Sequence, residues 1–216
     1  MGQIIKYLTN MLPYMLVSLP VLIAWRIIAV HFMKRKNKKS NGWHEAEIVL
    51  FSLFLVGLAS QTIIPKFEFA PSSIGFVGAI LPTSERLNLI PFKVLSETYT
   101  AVFQDHYINY FLINMIGNIM MFMPIGFFLP VLWTKCAPFK VTLGIGFCIT
   151  LLIELCQLPL ARSTDIDDLW LNVVGVSFGY LIYLLFKKIA PRFLDKCKTS
   201  AIEISCQKPL KQLDKF

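Results

Sequence analysis

Charged residues are scarce in this chain. Asp, Glu, Lys and Arg make up 16% of its 216 residues, whereas a soluble domain usually carries about 25%. Hydrophobic residues make up 56%, and the mean hydropathy is +0.61. This composition predicts an integral membrane protein with little room for a separate soluble domain. The net charge of +8 does not imply a nucleic-acid partner, because the basic residues flank apolar segments as topology signals do.

Residues that form covalent links or histidine metal sites are also few. The five cysteines show neither a CxxC motif nor metal-ligand spacing, which argues against a disulfide framework. The three histidines, His31, His44 and His106, are scattered along the chain. A histidine-centred zinc site is therefore not expected.

Long apolar runs dominate the chain instead. A membrane-spanning helix needs roughly 20 mostly apolar residues. Five runs meet this requirement, at about 12–33, 46–64, 109–132, 139–158 and 170–187. The predicted fold is all-α: an integral membrane helical bundle of about five transmembrane helices, multi-pass in the cell membrane.

The basic residues predict the orientation of the bundle. With alternating spans, fifteen Lys and Arg residues, including the cluster at 34–39, lie on one side of the membrane, and five lie on the other. The positive-inside rule then predicts the N-terminus outside and the C-terminus inside. Arg26, inside the first span, is expected to extend towards the cytoplasmic surface.

This orientation divides the chain into four parts. They are two N-terminal helices with a basic cytoplasmic loop (1–64), an extracellular or re-entrant loop (65–108), a three-helix core (109–187) and a basic, poorly ordered cytoplasmic tail (188–216).

A strip of polar residues interrupts the last two apolar runs near the outer surface. Its members are Glu154, Gln157, Arg162, Asp165, Asp167, Asp168 and Asn172. A carboxylate within a membrane span is a functional hypothesis by default, since burying it is expensive. Two structural alternatives stay open: an ion pair of Glu154 with Arg162, and a capping box of Thr164 with Asp167.

The spacing of the polar residues predicts which of them share a helix face. Asp165, Asp168 and Asn172 form one stripe, and a GxxxG at Gly175 and Gly179 continues it as a close-packing pattern. On the third span, Asn114 and Asn118 also share a face. We interpret Asn118 as joining helices and expect Asn114, nearer the outer surface, to face the polar site.

Several kinds of chemistry suit these residue types. Carboxylate and amide oxygens can bind a divalent cation, and a buried Glu154 near ionised Asp residues can act as acid or base. Arg162 can hold an anionic group. No nucleophile–base pair is visible in the sequence. Whether the protein is an enzyme or a binding protein therefore stays open.

Taken together, the motifs resemble the VanZ-like family of small bacterial multi-helix membrane proteins. The resemblance covers roughly 85–187, and the first two spans carry no recognisable family motif. It rests on Asn88-Leu-Ile-Pro-Phe92, Asn114-x-x-Gly-Asn118 with Phe122-x-Pro124-x-Gly126, Glu154-x-x-Gln157, and the run from Arg162 through Asp165, Asp167, Asp168, Asn172 and Gly175 to Gly179.

The resemblance implies a shared site but no reaction. The family's namesake is linked to teicoplanin resistance. The implied site holds Glu154, Asp165 and Asp168 as candidate catalytic groups, and Arg162, Gln157, Asn172, Asn114 and Asn88 as candidate binding groups.

Three functions stay open at this point. The first is an envelope factor that binds or modifies a lipid-linked or peptidoglycan-derived group at the outer leaflet and lowers glycopeptide susceptibility. The second is a transporter of an envelope lipid or small ion. The third is a non-catalytic scaffold whose carboxylates are ion-paired caps. Membrane lipid is an expected partner in each case.

Overall fold

A computed structural model of the chain describes residues 2–35, 41–64, 67–70, 73–76, 87–88, 90–100, 115–158 and 164–197. Within these ranges lie seven α-helices: α1 (Gly2–Arg35), α2 (Gly42–Thr62), α3 (Lys93–Tyr99), α4 (Gly117–Leu132), α5 (Phe139–Gln157), α6 (Ile166–Ile189) and α7 (Pro191–Cys197). A short 3-10 turn, Thr134–Cys136, joins α4 to α5. The prediction of an all-α membrane helical bundle is confirmed.

Four of these helices, α1, α2, α5 and α6, are long and apolar enough to cross a membrane. They correspond to the predicted first, second, fourth and fifth spans. The predicted third span, 109–132, is represented by the 16 residues of α4, and its residues 109–114 lie outside the described part of the chain. Length and composition thus support a membrane protein.

Short strands, which the all-α prediction did not include, occur in the connections. Strands β1 (Phe67–Ala70) and β2 (Ser73–Phe76) form an antiparallel pair. Strands β3 (Leu87–Asn88) and β4 (Thr164–Asp165) form a parallel pair. The second pair matters for the site, because it ties the loop before α3 to the start of α6.

The core of the bundle lies where α2, α4, α5 and α6 meet. Its buried side chains come from all four helices and are mostly aliphatic or phenylalanine. Among the described helices, α4 and α6 make the most extensive contact. They can approach closely because Gly175 and Gly179 of α6 lie against the backbone carbonyls of Ile119 and Met123. The predicted GxxxG contact is therefore made with another helix of the same chain.

Helix α1 packs along α2 and is held there by a pair of opposite charges. Arg26 Nη2 lies 2.6 Å from Glu45 Oε2, and both side chains are mostly shielded from solvent. The sequence predicted that Arg26 extends towards the cytoplasmic end of α1, and Glu45 in the first turn of α2 is the partner it meets. The sequence did not show this pairing, since it depends on how the two helices align.

The expected poorly ordered tail begins with a docked helix. Leu194 and Cys197 of α7 are buried against α4 and α6. Two carbonyls at the end of α7 are hydrogen-bonded by the start of α2: Asn41 Nδ2 donates to Lys196 O at 3.0 Å, and His44 Nδ1 lies 2.6 Å from Cys197 O. The expectation of disorder was wrong for 191–197, because tertiary contacts satisfy the end of this short helix. Residues 198–216 lie outside the described residues.

Candidate functional site

The alignment of α5 with α6 brings three of the predicted site residues, Glu154, Asp168 and Asn172, within about one helical turn of one another. Asn172 Nδ2 of α6 donates to Thr150 Oγ1 of α5 at 2.7 Å. One turn further along, Gly146 faces Val176, whose Cγ2 would lie 2.7 Å from a Cβ on the glycine. The two contacts show that the helices run antiparallel. One turn in the other direction, Glu154 therefore comes level with Asp168.

Asp168 is held by the third helix of the core. Asn118 Nδ2 of α4 donates to Asp168 Oδ1 at 2.6 Å. A charge-assisted hydrogen bond of this kind is stronger than one between neutral groups. Asn118, interpreted from the sequence as joining helices, does join α4 to α6, and it does so through a predicted site residue.

Glu154 lies deep in this arrangement. The residue is 5% exposed, and its neighbour Ile153 is 6% exposed. Phe122 of α4 and Leu171 of α6 are also buried. Burying a carboxyl group in such surroundings costs free energy that a protein built only to span lipid would avoid. The presence of Glu154 therefore favours a chemical or structural role within the bundle.

Asn172 has an acceptor atom with no hydrogen-bond partner. Its amide nitrogen is used by Thr150, whereas its Oδ1 is fully buried and makes no hydrogen bond within the described part of the chain. A buried unsatisfied acceptor costs about 1–3 kcal/mol. A donor from a bound molecule would remove this cost.

The end of α2 lies at the same end of the bundle as the site. Gln157 Nε2 donates to Thr62 O at 3.1 Å, which joins the last turn of α5 to the last turn of α2. Ser60 and Gln61 are buried beside it. These α2 residues and Thr150 were not among the site residues predicted from the sequence. The polar run Ser60-Gln61-Thr62 at the end of an apolar span was the available signal.

Asp167 anchors the loop that precedes α3. The residue is fully buried, and its Oδ1 accepts from Phe92 N at 2.6 Å and from Trp170 Nε1 at 2.8 Å. Phe92 has a left-handed backbone with φ of 64°, which is strained for a residue with a side chain. The hydrogen bond from its backbone N–H to Asp167 holds Phe92 in this conformation. The contact of its ring with Trp170, at 5.8 Å between centroids, does so as well.

The remaining predicted residues are only partly described. Asn88 pairs with Asp165 in the parallel ladder of β3 with β4, so the chain brings these two positions together, but for both the structure describes the backbone alone. Arg162 and Asn114 lie outside the described residues. The suggested ion pair of Arg162 with Glu154 therefore stays a prediction.

The site combines carboxylates and amides in a confined space. Glu154 and Asp168 supply acid–base groups, and Asn118, Asn172 and Gln157 supply amides that fix helices or meet a ligand. Within the described residues, no group of three or more His, Cys, Asp or Glu side chains is placed to hold a metal ion.

Fold and site together define a class: a membrane protein built as a helical bundle, with a buried polar site near one end. A family model described as VanZ/LLP1 matches residues 48–187, which is well over half of the chain. The chain belongs to this family. The match begins within α2 and ends in the last turn of α6, so it includes a helix in which the sequence showed no family motif. Comparison with curated proteins and with solved structures gave no significant match.

Proposed function

We propose that this protein is a multi-pass protein of the bacterial cell membrane that acts on the cell envelope and contributes to glycopeptide resistance of the teicoplanin type. It binds or modifies a lipid-linked or peptidoglycan-derived group at the outer leaflet. Family membership supports the context, and the buried polar site supports the chemistry.

The observation that carries the proposal is the Oδ1 of Asn172, which makes no hydrogen bond within the described residues. Asn172 lies one helical turn from Asp168, and Asp168 is level with Glu154. A contact that only joined helices would gain nothing from leaving this acceptor without a donor. In the proposed function, the amides orient the ligand while Glu154 and Asp168 take or give protons. Asp165 and Arg162 are assigned to the same site through the motif, with Arg162 taking an anionic group.

Susceptibility measurements on carboxylate variants test this function. A strain lacking the gene is complemented with wild type, Glu154→Gln or Asp168→Asn, and the minimal inhibitory concentration of teicoplanin is measured. Each substitution keeps the shape of the side chain but removes its proton chemistry. We expect both variants to fall to the level of the empty vector while membrane expression stays normal.

Glu97→Gln is the matched control, because Glu97 is an exposed glutamate that pairs with Lys93 on α3. This variant should protect as well as wild type. Wild-type susceptibility from both site variants would contradict the roles of the carboxylates. Equal susceptibility of wild type and empty vector would contradict the link to teicoplanin itself.

A non-catalytic scaffold is the second candidate, favoured by one specific observation. The described hydrogen bonds of Asn118, Asn172 and Gln157 all join one helix to another. If the carboxylates are structural, Glu154→Gln should lose several degrees of melting temperature in detergent. If they are functional, the variant should melt like wild type and still fail to protect.

A further inference from the structure

A second candidate site lies between α1 and α2, at the opposite end of α2 from Thr62. An open cleft of about 660 Å³ separates one face of each helix there. Its lining from α1 is Ile23, Arg26, Ile27, Val30, His31 and Lys34, and from α2 it is Glu45, Ala46, Val49, Leu50 and Leu53. The site is separate from Glu154 and Asp168 and plays no part in the proposed function.

The lining changes from apolar to polar along the cleft. Towards the middle of the two helices, the cleft is lined by aliphatic side chains such as Ile23 and Ile27 on α1 and Leu53 on α2. Lys34 follows Ile27 by seven residues, which is roughly 10 Å along the helix. The cleft is thus aliphatic towards the middle of the helices and basic at its mouth, near Lys34. An acyl chain with an attached headgroup requires this arrangement.

The charge at the mouth is positive after the internal pairing is counted. Glu45 is the acidic lining residue, and its Oε2 accepts from Arg26 Nε at 2.7 Å. This leaves Lys34 without an acidic partner in the lining. The sequence from 27 to 44 contains five Lys and Arg residues and no Asp or Glu, so the loop that follows α1 adds only positive charge. A ligand bound here should be anionic.

The cleft opens to the side of the bundle. Ile27 is 65% exposed and Leu50 is 52% exposed, and in a membrane protein such aliphatic surfaces face lipid. A ligand therefore enters from the bilayer, and an inorganic anion alone would leave the aliphatic walls uncovered. We propose that the cleft binds an anionic phospholipid, with one acyl chain between α1 and α2 and the phosphate at Lys34 and His31.

Native mass spectrometry of the purified full chain tests this proposal. The protein is titrated in detergent with dioleoylphosphatidylglycerol or dioleoylphosphatidylcholine, and the bound fraction is measured for each. We expect phosphatidylglycerol to bind at least about tenfold more tightly. The double variant His31→Gln/Lys34→Gln should lose about fivefold or more in affinity for phosphatidylglycerol, as expected for removing one surface cation.

Two matched controls separate the cleft from general surface charge and general packing. Lys187→Gln/Lys188→Gln removes two cations from the last turn of α6 and should leave the affinity unchanged. Val49→Trp fills the cleft and should reduce binding, whereas Leu185→Trp on the exposed side of α6 should not.

Four results would overturn the proposal. The first three are equal binding of the two lipids, equal losses in the His31/Lys34 and Lys187/Lys188 variants, and full displacement of phosphatidylglycerol by millimolar inorganic phosphate, which would assign the site to a free anion. Retained preference in the first double variant would overturn it as well, because these exposed positions can change without unfolding the protein.

Discussion

At the scale of single residues, adjacent aspartates have different surroundings. Successive residues of a helix point about 100° apart, so Asp167 and Asp168 cannot face the same neighbours. Asp167 turns to the loop before α3 and holds Phe92, whereas Asp168 turns to Asn118 of α4. We infer that Asp167 maintains the shape of the site and that Asp168 belongs to it.

The role of Asp167 makes a prediction about stability. Asp167→Ala leaves the Phe92 amide and the Trp170 indole without their acceptor, so it should destabilise the fold by about 1–3 kcal/mol. Thermal unfolding in detergent measures the loss as a lowered melting temperature. Asp195→Ala, at an exposed position of α7, is the control and should stay within about 0.5 kcal/mol of wild type. Similar melting of both variants would show that the contacts of Asp167 contribute little.

The local surroundings of the site residues were readable from the sequence, whereas their connections between helices were not. The apolar setting of Glu154 was readable because the surrounding residues are local in the chain. The bonds to Thr150 and Thr62 were not readable, since they depend on the alignment of separate helices. The same limit applies to Arg26, whose partner Glu45 lies 19 residues away on another helix.

At the scale of elements, glycines set the distance between α4 and α6. A Cβ at Gly179 would collide with the carbonyl oxygen of Met123, whereas nothing lies within 4 Å of a Cβ built at Gly144 of α5. The GxxxG pattern predicted a close contact, but only the structure shows that α4 provides the other surface.

This difference predicts opposite results for one chemical change. Gly179→Ala should force the two backbones apart and cost about 1–3 kcal/mol, or more where the backbone cannot shift. Gly144→Ala should be neutral or slightly stabilising, because alanine favours the helix. Melting temperatures of the two purified variants check this. A stable Gly179→Ala protein would mean that α4 and α6 are not packed as closely as described.

The docking of α7 predicts that the stability of the folded protein depends on pH. Burial raises the pKa of Cys197 to about 11, with added effects of the Glu47 carboxylate through its charge and a hydrogen bond. An unfolded thiol has a pKa of about 8.5, so the folded state holds this proton more tightly. The stability from the neutral thiol is complete below about pH 8.5 and is lost as the pH rises towards 11.

Melting curves of wild type and Cys197→Ala from pH 7 to 10.5 test this dependence. The difference between their melting temperatures should be constant up to about pH 8.5 and should then shrink. Cys148→Ala, which removes an exposed thiol from α5, controls for losing a cysteine. A constant difference across the whole range would show that Cys197 does not hold its proton on folding.

At the scale of the whole molecule, the bundle has two chemically different ends. At one end, the start of α2 meets the end of α7, and Tyr180 donates its hydroxyl to Ala137 O between α4 and α5. At the other end, Gln157 meets Thr62 and β3 meets β4. Of the described helices, the first end carries Lys34 and Arg35 of α1 and Lys187 and Lys188 of α6, whereas the polar site lies at the other end.

The two ends predict the orientation in the membrane, with the N-terminus outside and the C-terminus inside. The topology predicted from the sequence assigns fifteen Lys and Arg residues to the side of the α1–α2 connection and five to the other, and the richer side should face the cytoplasm. In a cysteine-free background, an impermeant maleimide applied to intact cells should label Ser96→Cys and not Ser40→Cys. Ser96 is an exposed position of α3, and permeabilised cells should label both variants. Labelling of Ser40→Cys in intact cells would invert the topology and place the Glu154 site at the cytoplasmic face, where it could not meet an outer-leaflet ligand.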